Sequence, residues 1–235
     1  MTDRIVILTG AGLSAESGLG TFRDEGGIWT RYPLEDVATP EGFARDPELV
    51  HAFYNERRTQ AAEARANPAH AALAQLQRAR GATVTVVTQN VDGLLEHAGA
   101  DPIHMHGQLD RALCATCGHR WPAPRVMAPD DPCPACARRA TRPDVVWFGE
   151  MPYHMDAILD ALARCTLFAA IGTSGNVYPA AGFVEEASRA GAETLEINLE
   201  PTELTGRFDR HVSGPASQTV PDWVASVMRR DNQSP

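Results

Sequence analysis

Two rhythms run along this chain: short runs of β-branched and other apolar residues, and longer stretches with apolar residues at helical spacing. Ile5-Val6-Ile7-Leu8 is a continuous apolar run that predicts a short buried strand. Asp46-Pro47-Glu48 combines a capping residue, a first-position proline and an acidic first turn. It predicts a helix through Leu49, Val50, Phe53 and Arg57 toward Ala64. Asn67-Pro68 repeats the signal for a helix carrying Leu73 and Leu76 and ended by Gly81. Residues 83–87 read as a β-branched strand, and further strands are predicted at 145–148, 167–171 and 194–197. Residues 179–190 predict a helix ended by Gly191, and a last helix spans about 221–228. Strand and helix alternate, so the expected fold is α/β, a parallel sheet with helices on both faces. Residues 111–144, with proline, arginine and four cysteines but little periodicity, read as an insertion. The tail 231–235 is expected to fray.

A chain of 235 residues holds one sizeable core, with room for a small inserted module. The net charge of −9 argues against nucleic acid or anionic membrane as the main partner. It is compatible with basic, lysine-bearing peptides. No apolar run approaches the ~18 residues of a membrane span. Met1-Thr2-Asp3-Arg4 leads directly into the first strand, which leaves no room for a signal peptide. The expectation is a cytoplasmic protein.

Residues 9–23, TGAGLSAESGLGTFR, carry the first chemical signal. Gly10, Gly12 and Ala15 fit the G-x-G-x-x-G/A turn that lets a backbone approach a pyrophosphate at a helix start. Gly18 and Gly20 then break the helix an ordinary dinucleotide fold would continue, leaving a loop that carries Phe22 and Arg23 toward the ligand. The acidic residue expected about 20 residues further on is hard to place. The pattern reads as a dinucleotide site adapted to something other than hydride transfer. Cys114-x2-Cys117, fifteen residues, then Cys133-x2-Cys136 matches the four-thiolate zinc pattern. With every ligand supplied by protein, that metal is structural. Two disulfides are the alternative, which a reducing compartment disfavours. Arg120, Arg125, Arg138, Arg139 and Arg142 would suit a nucleic-acid ribbon, but the acidic chain as a whole does not. Cys165 reads as a buried small hydrophobe.

Taken together, the chain resembles the sirtuins, NAD-dependent protein-lysine deacylases. The resemblance rests on GAGLSAESGLGTFR (10–23), TQNVDGLLEHAG (88–99), HMHG (104–107), the cysteine module, VVWFGE (145–150), GTS (172–174) and INLEP (197–201), in the family's order across nearly the whole chain. It implies a single catalytic body with a Rossmann-type large part, about 1–30, 70–110 and 145–230. A small part would come from a helical insertion, about 31–69, and the zinc module, about 111–144. NAD would lie between them, consumed as a co-substrate, with one structural zinc. The likeness is greatest to the class III branch, with its bacterial members and the mitochondrial desuccinylase. There a Tyr-x-x-Arg pair reads the acidic end of succinyl- or malonyl-lysine. Tyr54 and Arg57 match that pair, and at i and i+3 they share a helix face. Ala38 matches a small residue that leaves room for longer acyl groups.

The resemblance also implies roles. The acyl oxygen attacks the anomeric carbon as nicotinamide leaves, and a histidine deprotonates the ribose so that its 2′-hydroxyl takes the acyl group. Imidazole titrates near working pH and suits that task. His104 and His106 compete for it: if the segment is extended both point to one side. Gly107 matches the family's His-Gly pair and selects His106. Gln89, Asn90 and Asp92 end the 83–87 strand, where open α/β sheets place ligands. By resemblance Asn90 and Asp92, flanking Val91, orient the nicotinamide amide, Asn90 with a catalytic part, and Gln89 contacts ribose. A turn with a helix cap accounts for Asp92 alone. Gly10, Ala11, Gly12, Ser14 and Arg23 would serve the phosphates and ribose, and Phe22 would cover the nicotinamide pocket. Gly172, Thr173 and Ser174 fit a second phosphate-facing turn. Asn198, Leu199 and Glu200 match the adenosine ribose site, and Ala216 the adenine site through backbone. Val146, Trp147 and Phe148 would run beside an acyl-lysine protein or peptide as an added strand. The protein would act as a monomer. An ADP-ribosyltransferase and a non-catalytic NAD or ADP-ribose sensor are the competing readings.

Overall fold

The computed structural model describes residues 3–20 and 31–231. Its strands are β1 (Ile5–Thr9), β2 (Val84–Thr88), β3 (Ile103–His104), β4 (Gly107–Cys114), β5 (Arg120–Pro122), β6 (Thr141–Val145), β7 (Leu167–Ile171), β8 (Glu193–Asn198) and β9 (Arg210–Ser213). Six of them form one sheet in the order β3-β2-β1-β7-β8-β9, every pair parallel. Leaving out the three strands of the small sheet, the order is 3-2-1-4-5-6, the doubly wound arrangement. The order reverses between β1 and β7, so a crevice opens beyond their carboxyl ends.

The helices are α1 (Leu34–Val37), α2 (Pro40–Arg45), α3 (Pro47–Glu63), α4 (Pro68–Arg80), α5 (Leu94–His97), α6 (Met155–Leu162), α7 (Phe183–Arg189) and α8 (Ala216–Asp231). Side chains alternate across a strand, and the run Ile5–Thr9 shows it. Ile5 and Ile7 join Leu73, Leu76, Val220 and Val224 on the face covered by α4 and α8. Val6 and Leu8 join Ile158, Leu162, Phe168 and Phe183 under α6 and α7. A strand apolar on both faces is what a sheet buried on both sides requires.

The remaining strands form a three-stranded antiparallel sheet, β5-β4-β6, against which helix α3 packs, with α1 and α2 packed on α3. A third core sits there, built from Val37, Ala38, Val50, Phe53, Tyr54, Leu109, Val145 and Trp147. The two caps read from sequence are present. Asp46 Oδ1 accepts from the Leu49 amide, and Asn67 Oδ1 accepts from the Ala69 amide.

Four sequence expectations shift. The strand expected at 145–148 is β6, ending at Val145 and belonging to the small sheet. Beyond it the Trp147 amide goes to Glu150 Oε2 and the Phe148 amide to the Ala38 carbonyl, so the ladder cannot continue. The last helix begins at Ala216, well before Pro221, because Glu16 accepts from the amide and hydroxyl of Ser217 and fixes its first turn. The helix at 179–190 is a 3-10 turn, Ala180–Gly182, followed by α7. The strand at 83–87 is shifted by one residue, to Val84–Thr88. Residues 232–235 of the tail lie outside the described residues.

Candidate active site

Two turns leave the carboxyl ends of β1 and β7 and meet backbone to backbone. The Gly10 amide donates to the Ile171 carbonyl (3.0 Å) and the Gly12 amide to the Gly172 carbonyl (2.9 Å). A Cβ on Gly10 would stand 2.7 Å from the Gly172 oxygen, and one on Gly12 would stand 2.7 Å from the Gly172 Cα. Gly172 itself has φ +62°, in the left-handed region that glycine alone adopts without cost. The glycines are therefore required by the approach of two turns. Ala11 lies in the 3-10 turn Ala11–Leu13 that follows β1. Thr173 and Ser174 continue the second turn, where the Thr173 carbonyl accepts from Asn198 Nδ2 (2.7 Å). Leu199 and Glu200 are exposed beyond β8, and Ala216 contributes its methyl to the core under α8. Phe22 and Arg23 lie outside the described residues.

Ser14 is turned inward as the centre of a buried network. The Asn67 amide donates to His70 Nδ1 (3.2 Å), so that nitrogen is an acceptor and the proton sits on Nε2. His70 Nε2 then donates to Ser14 Oγ (3.3 Å), and Ser14 donates to Asp92 Oδ2 (3.1 Å). Asn90 Nδ2 donates to the Gly10 carbonyl (3.0 Å) and to Ser14 Oγ (3.2 Å). Asp92 Oδ1 accepts from the Leu94 amide, so the turn read from sequence and the network coexist in one carboxylate. Burial is the largest influence on His70 and lowers its pKa, keeping the ring neutral. Sequence reasoning missed His70 and Asn67 as site residues. The signal was there: a histidine three residues after an asparagine cap, in the capping-box position.

The two histidines part because the chain turns at Met105–His106, so the extended geometry that left them equivalent does not occur. His104, at the end of β3, gives Nδ1–H to the Asn90 carbonyl and Nε2–H to Glu96. With acceptors on both nitrogens it is held as a cation: burial opposes this, but the Glu96 bond and charge raise its pKa. His106 makes one such bond, Nδ1–H to the Gln89 carbonyl (3.2 Å). Its Nε2 keeps a lone pair, and burial lowers its pKa against the smaller influence of that bond. Gly107 permits the turn, with φ +77° and a position where a Cβ would stand 2.1 Å from the Asp144 carbonyl. The His106 carbonyl accepts from Val146, and the Leu109 amide donates to Val91.

Tyr54 sits 2% exposed in the third core, together with Ala38 and Trp147. Its hydroxyl accepts from Trp147 Nε1 (3.0 Å), and burial pushes its pKa up to about 12, so the phenol keeps its proton. Burial lowers the pKa of Arg57, one turn on, against the opposing influence of the Asp92 carboxylate, and its guanidinium lies 5.9 Å from the centroid of the Phe53 ring. Phe148 is exposed beside them.

The four cysteines come together as read, with all four Sγ atoms within 4.8 Å of one another. Cys114 and Cys136 are 3.7 Å apart, as are Cys117 and Cys133. Zinc–sulfur bonds of about 2.3 Å give a tetrahedron edge of about 3.8 Å, so the donor set fits one zinc ion. Gly118 and Ala137, each just after its second cysteine, both take positive φ, the geometry of matched knuckles.

The comparisons agree with this geometry. A family model described as the Sir2 family matches residues 10–179. An NAD-dependent protein deacylase of Caulobacter vibrioides is 55% identical over 232 residues, 97% of this chain and 98% of that protein. The NAD-dependent protein deacylase of Escherichia coli K12 is 52% identical over 230 residues, 96% of this chain and 82% of that protein. A solved Sir2 homologue–NAD complex superposes with a TM-score of 0.88 at 38% identity, covering 96% of this chain and 90% of the other.

Proposed function

This chain belongs to the Sir2 family and is an NAD-dependent protein deacylase, and from that premise we propose that it removes succinyl and malonyl as well as acetyl groups from lysine. NAD would supply the ribose carbon that the acyl oxygen attacks and the hydroxyl that takes the acyl group; with one water consumed, the products are nicotinamide, free lysine and O-acyl-ADP-ribose. The remaining chemistry falls to side chains. His106, with Nδ1–H committed to Gln89, offers Nε2 as the base for a ribose hydroxyl. Asn90 and Asp92, tied to Ser14, hold the nicotinamide amide in one orientation. Gly10, Ala11, Gly12, Gly172, Thr173 and Ser174 line the phosphate side. Asn198, Leu199, Glu200 and the backbone of Ala216 serve the adenosine, with Gln89 at the ribose and Phe22 and Arg23 closing the loop. Val146, Trp147 and Phe148 flank the peptide.

The single observation that carries the acidic-acyl reading is the position of Tyr54: a protonated phenol buried beside Ala38, with Arg57 one turn away. A guanidinium grips a carboxylate bidentately and a phenol adds a third bond. In this reading the chain has a large Rossmann part and a small part from the helical and zinc insertions, and works in the cytoplasm, where four thiolates stay reduced. Among the described residues no helix is long and apolar enough to cross a membrane. The ADP-ribosyltransferase and sensor readings are not favoured, since the relatives bear the deacylase name.

The test is mass spectrometry of purified protein with NAD and matched acetyl-, succinyl- and unmodified lysine peptides. Succinyl loss with O-succinyl-ADP-ribose formed is expected, and Arg57→Met should lose it while keeping acetyl removal. Acetyl removal alone by the parent protein would sink the acidic-acyl reading.

A further inference from the structure

Behind Tyr54 lies a chain of contacts that no step of the reaction uses. Glu150 takes both terminal nitrogens of Arg142, NH1 at 2.6 Å and NH2 at 2.9 Å, and also accepts from the Trp147 amide at 2.8 Å. The Arg142 guanidinium lies over the Trp147 ring, its central carbon 3.4 Å from the ring centroid. Arg142 NH2 further donates to the Val145 carbonyl (2.9 Å). The indole is thus held on one face by a cation and at its backbone by the carboxylate that holds the cation. Its one polar hydrogen, Nε1–H, goes to the Tyr54 oxygen.

We infer that Arg142, clasped by Glu150, is a positioning residue for acyl selectivity, acting through the Trp147 ring to orient the Tyr54 hydroxyl. A phenol oxygen that already accepts from a fixed indole N–H must send its own hydrogen elsewhere. With the oxygen buried, the remaining direction is set by the ring's rotation, and so by Trp147. A carboxylate at the end of the acyl chain is the acceptor that this hydrogen fits, while an acetyl methyl offers it none. The arrangement should therefore matter to acidic acyl groups and be silent for acetyl. Arg142 lies on β6 opposite Leu113, one position from the pair formed by Thr141 and the zinc ligand Cys114. The brace is anchored on the zinc module, away from the NAD turns.

This inference rests on the acidic-acyl reading, and the experiment separates the two. KM and kcat are measured for succinyl and acetyl forms of one peptide at saturating NAD, with melting temperature and zinc content recorded for each variant. Arg142→Met should raise KM for the succinyl peptide about tenfold, with acetyl kcat/KM and KM for NAD within about twofold of the parent. Arg142→Lys, which keeps a cation over the ring, should recover most of the loss. If Arg142→Met does not fold, Glu150→Gln should shift the succinyl-to-acetyl ratio in the same direction by a few-fold. An equal fall for both peptides, or no change in the ratio, overturns the positioning role. If Arg57→Met collapses the ratio and Arg142→Met does not, only the positioning role falls. If Arg57→Met leaves the ratio unchanged, the acidic-acyl reading falls and takes this inference with it.

Discussion

Two histidines two residues apart differ here by one hydrogen-bond acceptor, and the proposed assignment of the base rests on that difference. His104 has a carbonyl and a carboxylate to satisfy and stays protonated; His106 has a carbonyl alone and keeps a free lone pair. A base works only when unprotonated, and burial lowers the pKa of His106 below 6.5. The acid limb of kcat/KM against pH should therefore rise with a midpoint below 6.5. A limb centred above 6.5 would assign the base to a group with the properties of His104. His106→Ala should lower turnover by about 10²–10⁴-fold with NAD binding retained, as calorimetry would show. None of this partnering can be read from His-x-His in a sequence: the choice depended on a family likeness. The residues that separate the pair meet them from elsewhere in the fold, Glu96 from helix α5 and Gln89 from just past the end of β2.

At the scale of elements, caps were legible and ladder partners were not. Asp46-Pro47 and Asn67-Pro68 act locally, each bonding amides within three residues, so the spacing alone announces them. The run at 145–148 looked like a strand because it is apolar. Whether its amides pair with a strand depends on Glu150, in the turn that follows, and on Ala38, more than a hundred residues earlier. Asn67 also shows how a cap can reach past its helix, since its Nδ2 donates to the Leu13 carbonyl (2.8 Å) and to Ser17 Oγ (3.1 Å). Helix α4 is thereby fastened to the turn after β1. Asn67→Ala should cost about 1–2 kcal/mol in denaturant unfolding. It should also raise KM for NAD more than KM for the acyl peptide. A stability loss with both KM values unchanged would limit Asn67 to capping.

On the scale of the molecule, the alternation of strands and helices announced the parallel sheet, and the cysteine spacing announced the zinc module. How the module attaches was hidden, because attachment is a matter of tertiary contacts. Asn55 on α3 exchanges two bonds of 2.9 Å with the backbone of Met127, and His51 Nε2 donates to the Thr141 carbonyl (3.0 Å). Helix α3, which carries Tyr54 and Arg57, is docked on the zinc module. A structural zinc contributes about 10–16 kcal/mol of folding free energy in small domains, comparable with the ~5–15 kcal/mol stability of a whole protein. Metal analysis should give one zinc per chain. Cys117→Ser should lose the metal, lower the melting temperature and abolish deacylation. Unchanged melting and turnover in a zinc-free variant would contradict the docking role.

The contact of Gly10 and Gly12 with Gly172 has a consequence for how such a protein can change. Where two main chains touch, there is no side chain to enlarge, shrink or recharge, so the contact between these two turns is closed to adjustment by substitution. In the proposed reading the acyl end is walled by Ala38, Tyr54 and Trp147, side chains that one nucleotide change at a time can reshape. On that reading a constant contact, fitted to the molecule every substrate shares, stands apart from a variable wall fitted to what differs among them. New acyl preferences can arise in the second without retuning the first.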